Sequence, residues 1–302
     1  ASNPAAIATA LQTERFPGQT GTPIEIITFD GADKVGTLNE YANRISQVPG
    51  IVGVVPPQVI GEDVRIVAYQ SMLPRTPESQ KLIHDLRDVK APTGTLIGGV
   101  AADYTDSQDG ISRTLPWAFG WIAISVLLLV FVFTGSIILP IKAVLLNVLS
   151  LAATMGVLTW VFIDGNLQWL VGSFTVTGSL DTSIVILIAV VVFGLSMDYE
   201  LFLLSRIREE HLEGRSNVES VATGLQRSAR IITAAAVLLA VVFAAFVTSG
   251  VTSIKTMGFG VALAVLLDAT LIRALLVPAL MRLMGERNWW APKSLQRFTL
   301  KH

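Results

Sequence analysis

The sequence contains no cysteine and little charge. Of its 302 residues, 15% are charged and 52% are hydrophobic, and the mean hydropathy is +0.60. The lack of cysteine excludes disulfides, thiolate nucleophiles and zinc-finger sites. Because soluble domains carry about 25% charged residues, the shortage of charge indicates a membrane protein. A net charge of −1 gives no sign of a nucleic-acid partner, and we expect none.

Other absences make an enzyme the least favoured class. His84, His211 and His302 are far apart in the sequence and follow no metal-ligand spacing, so we expect neither a metal nor a cofactor. The P-loop, Gly-x-Ser-x-Gly and His-Glu-x-x-His motifs are also missing, so ATP is not the energy source within this chain. The sequence begins with Ala1 and no signal sequence precedes it, and we therefore expect an excised part of a longer protein.

Residues 1–112 have the pattern of an α+β domain. After a first helical segment, alternating and amphipathic stretches follow in the order β-α-β-β-α-β, which is typical of the ferredoxin-like or split βαβ fold. That fold identifies no function by itself. The predicted strands are Pro23–Phe29, Ile51–Val55 (ended by Pro56 and Pro57), Asp63–Tyr69 and Gly94–Gly99. The predicted helices are Pro4–Phe16, Lys34–Gln47 and Thr76–Leu86, and the polar residues Asp103, Asp106 and Asp109 form a short connection to the membrane.

Residues 113–292 are predicted to form a helical transmembrane domain. Five apolar stretches are each about as long as the roughly 20 residues that a helix needs to cross a bilayer. Their approximate bounds are 115–134, 139–162, 184–205, 231–248 and 254–283. Between the third and fourth stretches, Ser216 and Glu219 have capping-box spacing, which predicts a short surface helix ending near Arg230. The fold class is therefore an α-helical polytopic membrane protein with an N-terminal α+β domain.

The distribution of basic residues predicts the orientation. Residues 206–230 contain five arginines, and the tail 293–302 is also basic, whereas residues 164–182 contain no lysine or arginine. The positive-inside rule places the basic segments in the cytoplasm. Counting spans backward then places residues 1–112 outside the cell membrane. We expect a multi-pass plasma-membrane protein with an extracytoplasmic N-terminal domain and a cytoplasmic C-terminus.

The third span carries ionisable residues where a bilayer disfavours them. Asp198 lies a little past its middle and is followed by Tyr199 and Glu200. An ionised Asp at the centre of a bilayer costs at least about 2.5–3.5 kcal/mol on insertion scales, so such residues usually carry function. A proton relay through Asp198 and Tyr199 is the favoured interpretation, and a structural Asp that a neighbouring helix satisfies is the alternative. Glu200 points elsewhere, where we expect it to reach the interface or to pair with an arginine, and a relay role also remains open for it.

The last span contains Asp268 and Arg273. Residues five apart lie about 140° apart around an α-helix, so we expect each to meet a different helix rather than each other. A structural ion pair is the favoured role of Arg273, while relay and structural roles remain equally open for Asp268. Elsewhere, Gly194 and Gly258 are expected to allow close approach of helices. Asn147, Ser150 and Thr154 share one face of the second span and are expected to hold helices together.

Two stretches resemble a known family. Phe193–Glu210 (FGLSMDYELFLLSRIREE) resembles the second Asp-Tyr motif of the mycobacterial membrane protein large (MmpL) family, within the resistance–nodulation–division superfamily. Leu266–Pro292 resembles the last helix of that family, including the Asn-Trp-Trp that follows it. The resemblance covers most of residues 115–292, and on pattern alone residues 1–112 resemble the family's second porter domain.

The resemblance implies an exporter of lipids or glycolipids to the cell envelope, driven by the proton motive force. Asp198 and Tyr199 match the second of two Asp-Tyr pairs, which face each other in the family. The first pair has no counterpart here. The implied partners are protons, lipid or other amphiphilic cargo, and a missing N-terminal half or a second chain that supplies the first pair.

Two other functions remain open on the sequence. One is a proton-coupled exporter of drugs or small amphiphiles with the same architecture. The other is a membrane scaffold that transports nothing. Replacing Asp198 by Asn separates the scaffold from both exporters, because only the exporters need the carboxyl group.

Overall fold

The computed structural model describes Leu11, Arg15, residues 21–174, Val176 and residues 179–292. The chain divides into two compact units, Ala1–Leu115 and Pro116–His302. Most of the predicted helix Pro4–Phe16 and the whole predicted tail 293–302 lie outside the described residues.

The first unit contains one four-stranded sheet with the strand order β2-β3-β1-β4. Every neighbouring pair of strands is antiparallel. Helices α1 (Val35–Ile45) and α2 (Pro77–Asp88) interrupt the strands in the predicted β-α-β-β-α-β order, which confirms the α+β fold. The strands are β1 (Thr22–Thr28), β2 (Ile51–Ile60), β3 (Asp63–Gln70) and β4 (Thr95–Gly98).

Strand β2 is longer than the sequence predicts. The prediction that Pro56 and Pro57 end the strand is wrong, because β2 continues through them to Ile60. The pairing register with β3 shifts between Val55 and Gln58, so the two prolines sit in an irregular part of the ladder. The prolines are tolerated because β2 is an edge strand and because, within the register shift, neither proline is paired with a residue of β3.

Both helices of this unit bury one stripe against the sheet. Leu38, Tyr41 and Ile45 of α1 recur at helical spacing and are fully buried. Helix α2 begins as predicted: Thr76 Oγ1 accepts a hydrogen bond from the Ser79 N–H, and Pro77 occupies the first turn. The core they form with the sheet consists mainly of Ile24, Ile26, Val64, Ile66, Leu82, Ile83 and Leu86.

The predicted polar connection to the membrane is helical. Helix α3 (Val100–Thr134) contains Asp106 and Asp109 in its first turns. Arg87 of α2 forms an ion pair with Asp106, and His84 lies 3.6 Å from Asp109. The hydrogen bonds that Arg87 donates to the Asp106 carboxylate raise the pKa of the Arg87 guanidinium above its ordinary value. These contacts give the carboxylates partners in a helix, where the sequence indicated only a polar linker.

The second unit consists of long helices. Within the described residues, five helices are long and apolar enough to cross a membrane, as predicted. After α3 they are α4 (Ile138–Leu158, extended by a π-helical turn to Ile163), α6 (Thr182–Leu212), α7 (Asn217–Phe246) and α8 (Thr252–Leu267). A π-helical segment (Asp268–Leu276), helix α9 (Val277–Met284) and a 3₁₀ turn (Gly285–Trp289) continue α8, and the short helix α5 (Gln168–Val171) precedes α6.

Helix α7 corrects one prediction. Ser216 and Glu219 form the predicted capping box, but no separate surface helix ends near Arg230. The helix continues to Phe246, because small and apolar buried residues form one unbroken stripe from its N-terminal part into the apolar span. That stripe includes Ser220, Gly224, Ser228, Ile232 and Ala236.

Small residues allow the helices of this unit to approach closely. A Cβ on Gly258 would lie 2.6 Å from the Phe243 carbonyl oxygen of α7, so the predicted role of Gly258 is confirmed. A Cβ on Gly224 of α7 would lie 2.7 Å from the Ile207 side chain of α6. The Asn147 side chain contacts Met197 Sδ at 2.9 Å, which joins α4 to α6 as predicted.

Candidate functional site

The predicted site residues of α6 lie on two opposite faces of the helix. Ser196 and Glu200 are buried inside the unit, whereas Asp198 between them is exposed. Residues two apart on an α-helix point about 200° apart, which accounts for the alternation. Helix α6 therefore presents Asp198 on its outward face and Glu200 on its inward face.

Asp198 lies on an exposed stripe of α6 close to the midpoint of the helix. The same stripe contains Leu187, Val190 and Gly194 toward one end and Ser205 toward the other. A Cβ on Gly194 would meet no atom within 4 Å. The Asp198 carboxylate makes no hydrogen bond or ion pair with any residue that the structure describes. The predicted polar contact with another helix is thus not made within this part of the chain.

The inward face carries what we call the core ion pair, formed by Asp268 and Arg273 with Ser196. Arg273 Nε donates to Asp268 Oδ2 at 2.7 Å, and Ser196 Oγ donates to Asp268 Oδ1 at 2.8 Å. The Arg273 Nη2 atom also donates to the Ser196 backbone carbonyl. All three residues are at least 95% buried. The last span is thereby bound to α6 through Ser196, which contacts both charged groups, while Arg273 Nη1 is buried without a hydrogen-bond partner among the described residues.

Tyr199 lies between the two faces and contacts the core ion pair. The Arg273 guanidinium carbon is 5.1 Å from the centroid of the Tyr199 ring, within the range of a cation–π interaction. A small cavity of about 10 Å³ is lined by Tyr199, Ser196 and Asp268 together with apolar residues of α6, α7 and α8. Tyr199 therefore connects the neighbourhood of Asp198 with the buried charges.

The direct pairing of Asp268 and Arg273 corrects the prediction that each meets a different helix. Residues Asp268–Leu276 are π-helical, and the Val277 N–H donates to the Ile272 carbonyl five residues earlier. The wider turn of a π-helix brings residues five apart to nearly the same face, whereas an α-helix separates them. The predicted structural ion pair of Arg273 exists, and its partner, Asp268, lies on the same span as Arg273.

Glu200 has a different environment from Asp268. It is 5% exposed, and its carboxylate makes no hydrogen bond with any described residue. It lines a second small cavity between α4, α6 and α9, together with Lys142 of α4 and apolar residues that include Leu139, Leu204 and Met281. An arginine was the predicted partner of Glu200: Arg273 acts on it electrostatically without forming an ion pair, and Lys142 is the cation that lines its cavity.

The Asn-Trp-Trp sequence closes the end of the unit next to Lys142. Asn288 is fully buried, and its amide donates to the Met281 carbonyl at 2.7 Å. Its side-chain oxygen accepts from Lys142 Nζ. Trp289 Nε1 donates to Asn217 Oδ1 at 3.1 Å and so ties the turn to the start of α7. We call Asn217, Asn288 and Trp289 the end latch.

Sequence reasoning missed Lys142, Ser196 and Asn217, and it identified Asn288 only as part of the Asn-Trp-Trp motif. Lys142 carried a usable signal, since it is a lone cation in the apolar stretch of the second span. Ser196 and Asn217 carried none, because short polar side chains are common in membrane helices and near their ends. Within residues 21–174 and 179–292, no group of His, Asp and Glu forms a set that could hold a metal ion.

Comparison with known proteins gives relatives over nearly the whole chain. A membrane protein of Streptomyces coelicolor is 38% identical over 288 residues, which cover 95% of this chain and 40% of the relative. The trehalose monomycolate exporter MmpL3 of Mycobacterium tuberculosis is 36% identical, over 93% of this chain and 31% of its own length. The mycolic acid-containing lipids exporter MmpL11 of Mycolicibacterium smegmatis is 35% identical with the same coverage.

The chain thus spans between 31% and 40% of the length of these relatives. The model of the MMPL family matches residues 3–299, and the five apolar helices agree with a multi-pass membrane protein. The resemblance that the Asp-Tyr and Asn-Trp-Trp motifs indicated is confirmed, and the chain belongs to the MMPL family.

Proposed function

We propose that this chain is the C-terminal half of an exporter that moves lipids to the cell envelope, driven by protons that bind and leave Asp198. The observation that carries the proposal is the exposure of Asp198 near the midpoint of a membrane-spanning helix, without a partner among the described residues. A carboxylate facing hydrocarbon would cost at least about 2.5–3.5 kcal/mol. The stripe that carries Asp198 therefore requires a polar neighbour outside this chain segment.

The missing neighbour fits the length of the relatives. They are more than twice as long as this chain, so a second membrane unit is available in the full protein. In the proposed arrangement that unit packs on Gly194 and Asp198 and supplies the matching Asp-Tyr pair. Tyr199 then lies between the proton site and the core ion pair, where a change of charge on Asp198 reaches the packing of the last span.

The cargo and the orientation belong to the same proposal. Two of the relatives are named for export of mycolic acid-containing lipids or trehalose monomycolate, which supports a lipid as cargo. The basic residues of 206–230 support a cytoplasmic position for that loop and an extracytoplasmic one for residues 1–112 in the plasma membrane. Protease accessibility in oriented vesicles tests the orientation, since residues 1–112 and 206–230 are then cleaved from opposite sides.

The test uses the full-length protein in proteoliposomes with an imposed pH gradient. Asp198→Asn is expected to abolish both proton flux and lipid movement, because an amide cannot exchange a proton. Glu209→Gln is the matched control: the same chemical change on the same exposed side of α6, at a residue whose surface pair with Arg206 contributes little. Normal export by Asp198→Asn contradicts the proposal, and export of small amphiphiles but not of lipids supports the drug exporter instead.

A further inference from the structure

The inward face of α6 holds an acidic group that the core ion pair leaves unused. Glu200 is buried, yet no described residue hydrogen-bonds its carboxylate. The charged groups near it come from both neighbouring elements: Asp268 and Arg273 from the last span, and Lys142 from α4. Arg273 also acts on Glu200 but is paired with Asp268 at 2.6 Å, whereas Lys142 lines the cavity of Glu200 and forms no ion pair with a described residue.

Lys142 is held in place by a neutral group rather than by an acid. Its ammonium donates to the Asn288 side-chain oxygen, and Asn288 is fixed by the Met281 and Gly285 carbonyls at 2.7 and 2.6 Å. A lysine bound to an amide oxygen retains the ability to release a proton, whereas an arginine does not at any physiological pH. The cavity shared with Glu200 lies directly beside this ammonium.

Lys142 and Asn288 lie at one end of the helix bundle. Lys142 lies in the first turns of α4, and Asn288 belongs to the end latch, which joins the last span to the start of α7. The proposed orientation makes this the cytoplasmic end. A group that exchanges protons here therefore lies between a buried carboxyl group and cytoplasmic water.

We propose that Lys142 exchanges protons between Glu200 and the cytoplasm, and that Asn288 positions the Lys142 amine for this exchange. The inference rests on the proposed proton-driven function. In the exchange, the Lys142 ammonium releases one proton to cytoplasmic water and becomes a neutral amine. The Glu200 carboxylic acid then transfers its proton to that amine, which leaves a carboxylate beside an ammonium. In all, one Lys142 N–H bond and the Glu200 O–H bond break, while one bond between the released proton and a water oxygen and one new Lys142 N–H bond form.

The test measures proton flux and lipid export by the full-length protein in proteoliposomes as the pH on the latch side is varied at a constant gradient. Lys142→Arg retains the charge and the length of the side chain but cannot release the proton. It is expected to lower proton flux by about 100-fold, as loss of a general acid–base group does, and so are Lys142→Met and Glu200→Gln. The remaining flux is expected to lose its dependence on the latch-side pH.

Lys255→Met is the matched control. Lys255 is also a buried lysine of the second unit, and its ammonium donates to the Val171 and Ser173 carbonyls, away from Glu200. Its variant should retain the pH profile, and the thermal unfolding of each variant shows whether it is folded. Wild-type rate and pH profile in a folded Lys142→Arg protein overturn the inference.

The two proposals fail in different ways. If Asp198→Asn abolishes proton flux while Lys142→Arg behaves as wild type, only the role of Lys142 is wrong. If Asp198→Asn leaves proton flux and export unchanged, the proton-driven function itself is wrong. Asn288→Asp keeps the oxygen that accepts from Lys142 and adds a negative charge, so it should retain the ammonium and slow the release of the proton; an unchanged rate contradicts the positioning role of Asn288.

Discussion

The two faces of α6 treat their acidic and polar groups differently. On the inward face, Ser196 meets Asp268 and Arg273, and the charges of the core ion pair cancel within a few ångströms. On the outward face, Asp198 lies on an exposed stripe next to a glycine and has no partner among the described residues. Ser196, which forms hydrogen bonds within the chain, and Asp198, whose carboxylate forms none with a described residue, are only two positions apart.

This difference distinguishes side chains that stabilise the fold of this chain from side chains that are exposed and can contact another surface. A buried ion pair must stay paired, because leaving one charge alone in a low-dielectric interior is costly. An exposed carboxylate costs the isolated unit little in water, and its cost arises only where lipid would cover it. The core ion pair should thus control stability, whereas Asp198 should control function.

The largest expected effect comes from breaking the core ion pair. Arg273→Met leaves the Asp268 carboxylate buried without its cation and should destabilise the protein by about 3–5 kcal/mol. Chemical unfolding of the purified protein in detergent measures the change. The double variant Asp268→Asn with Arg273→Met removes both charges and should recover part of the loss; equal loss in the single and double variants would show that charge is not the cause.

A second comparison uses two glycines: Gly224 of α7, which packs against Ile207 of α6, and Gly194 on the exposed stripe of α6. Gly224→Ala places a methyl group against Ile207 and should cost about 1–3 kcal/mol, because the helices must move apart. The methyl group of Gly194→Ala meets no atom of the described residues within 4 Å and should leave the stability of the isolated chain unchanged or slightly higher. In the full-length protein, however, Gly194→Ala should lower export, since another helix packs there in the proposed arrangement. Equal stability of the two variants of the isolated chain would contradict the difference between the faces.

An effect of similar size is expected at the end latch. Asn288→Ala removes a buried amide and leaves the Met281 carbonyl and the Lys142 ammonium with fewer partners, at a cost of about 1–3 kcal/mol. Asn166→Ala is the control, because that exposed amide donates to one carbonyl only. Thermal unfolding of both variants tests the prediction, which fails if Asn166→Ala is the more destabilising.

The smallest effect on stability is expected for Asp198→Asn. With no contact to lose among the described residues, the isolated chain should change by no more than about 0.5 kcal/mol. A large loss of stability in unfolding experiments would show that Asp198 has a structural partner, and the contrast between the faces would then disappear. The same variant is expected to lose all transport in the full-length protein.

Long-range patterns in the sequence were sufficient for the architecture. The order of strands and helices in residues 21–98 follows from alternation and amphipathicity, and the five spans follow from apolar length. Boundaries were less predictable where a local signal competes with packing. Pro56 and Pro57 break most strands, but an edge position tolerates them, and the capping box at Ser216 starts a helix without showing where it ends.

The acidic residues and the arginine of the candidate site could be predicted from the sequence, but the contacts that they make could not. Asp198, Glu200, Asp268 and Arg273 are conspicuous because charge is rare in apolar spans. Which of them meet depends on the helix geometry, and the π-helical segment that joins Asp268 to Arg273 has no signature in this sequence that we recognise. The crossing of α4 and α6, which brings Lys142 of the second span to the cavity of Glu200, is also not readable from the sequence.

The π-helical segment of the last span has a mechanical consequence. A return of Asp268–Leu276 to α-helical bonding would rotate everything after it by about one residue, or roughly 100° and 1.5 Å along the axis. Such a screw motion would carry Arg273 away from Asp268 and would turn Met281, the anchor of Asn288, relative to α7. The ion pair between Asp268 and Arg273, near the middle of the last span, thereby opposes rotation of α9 and of the 3₁₀ turn that follows it.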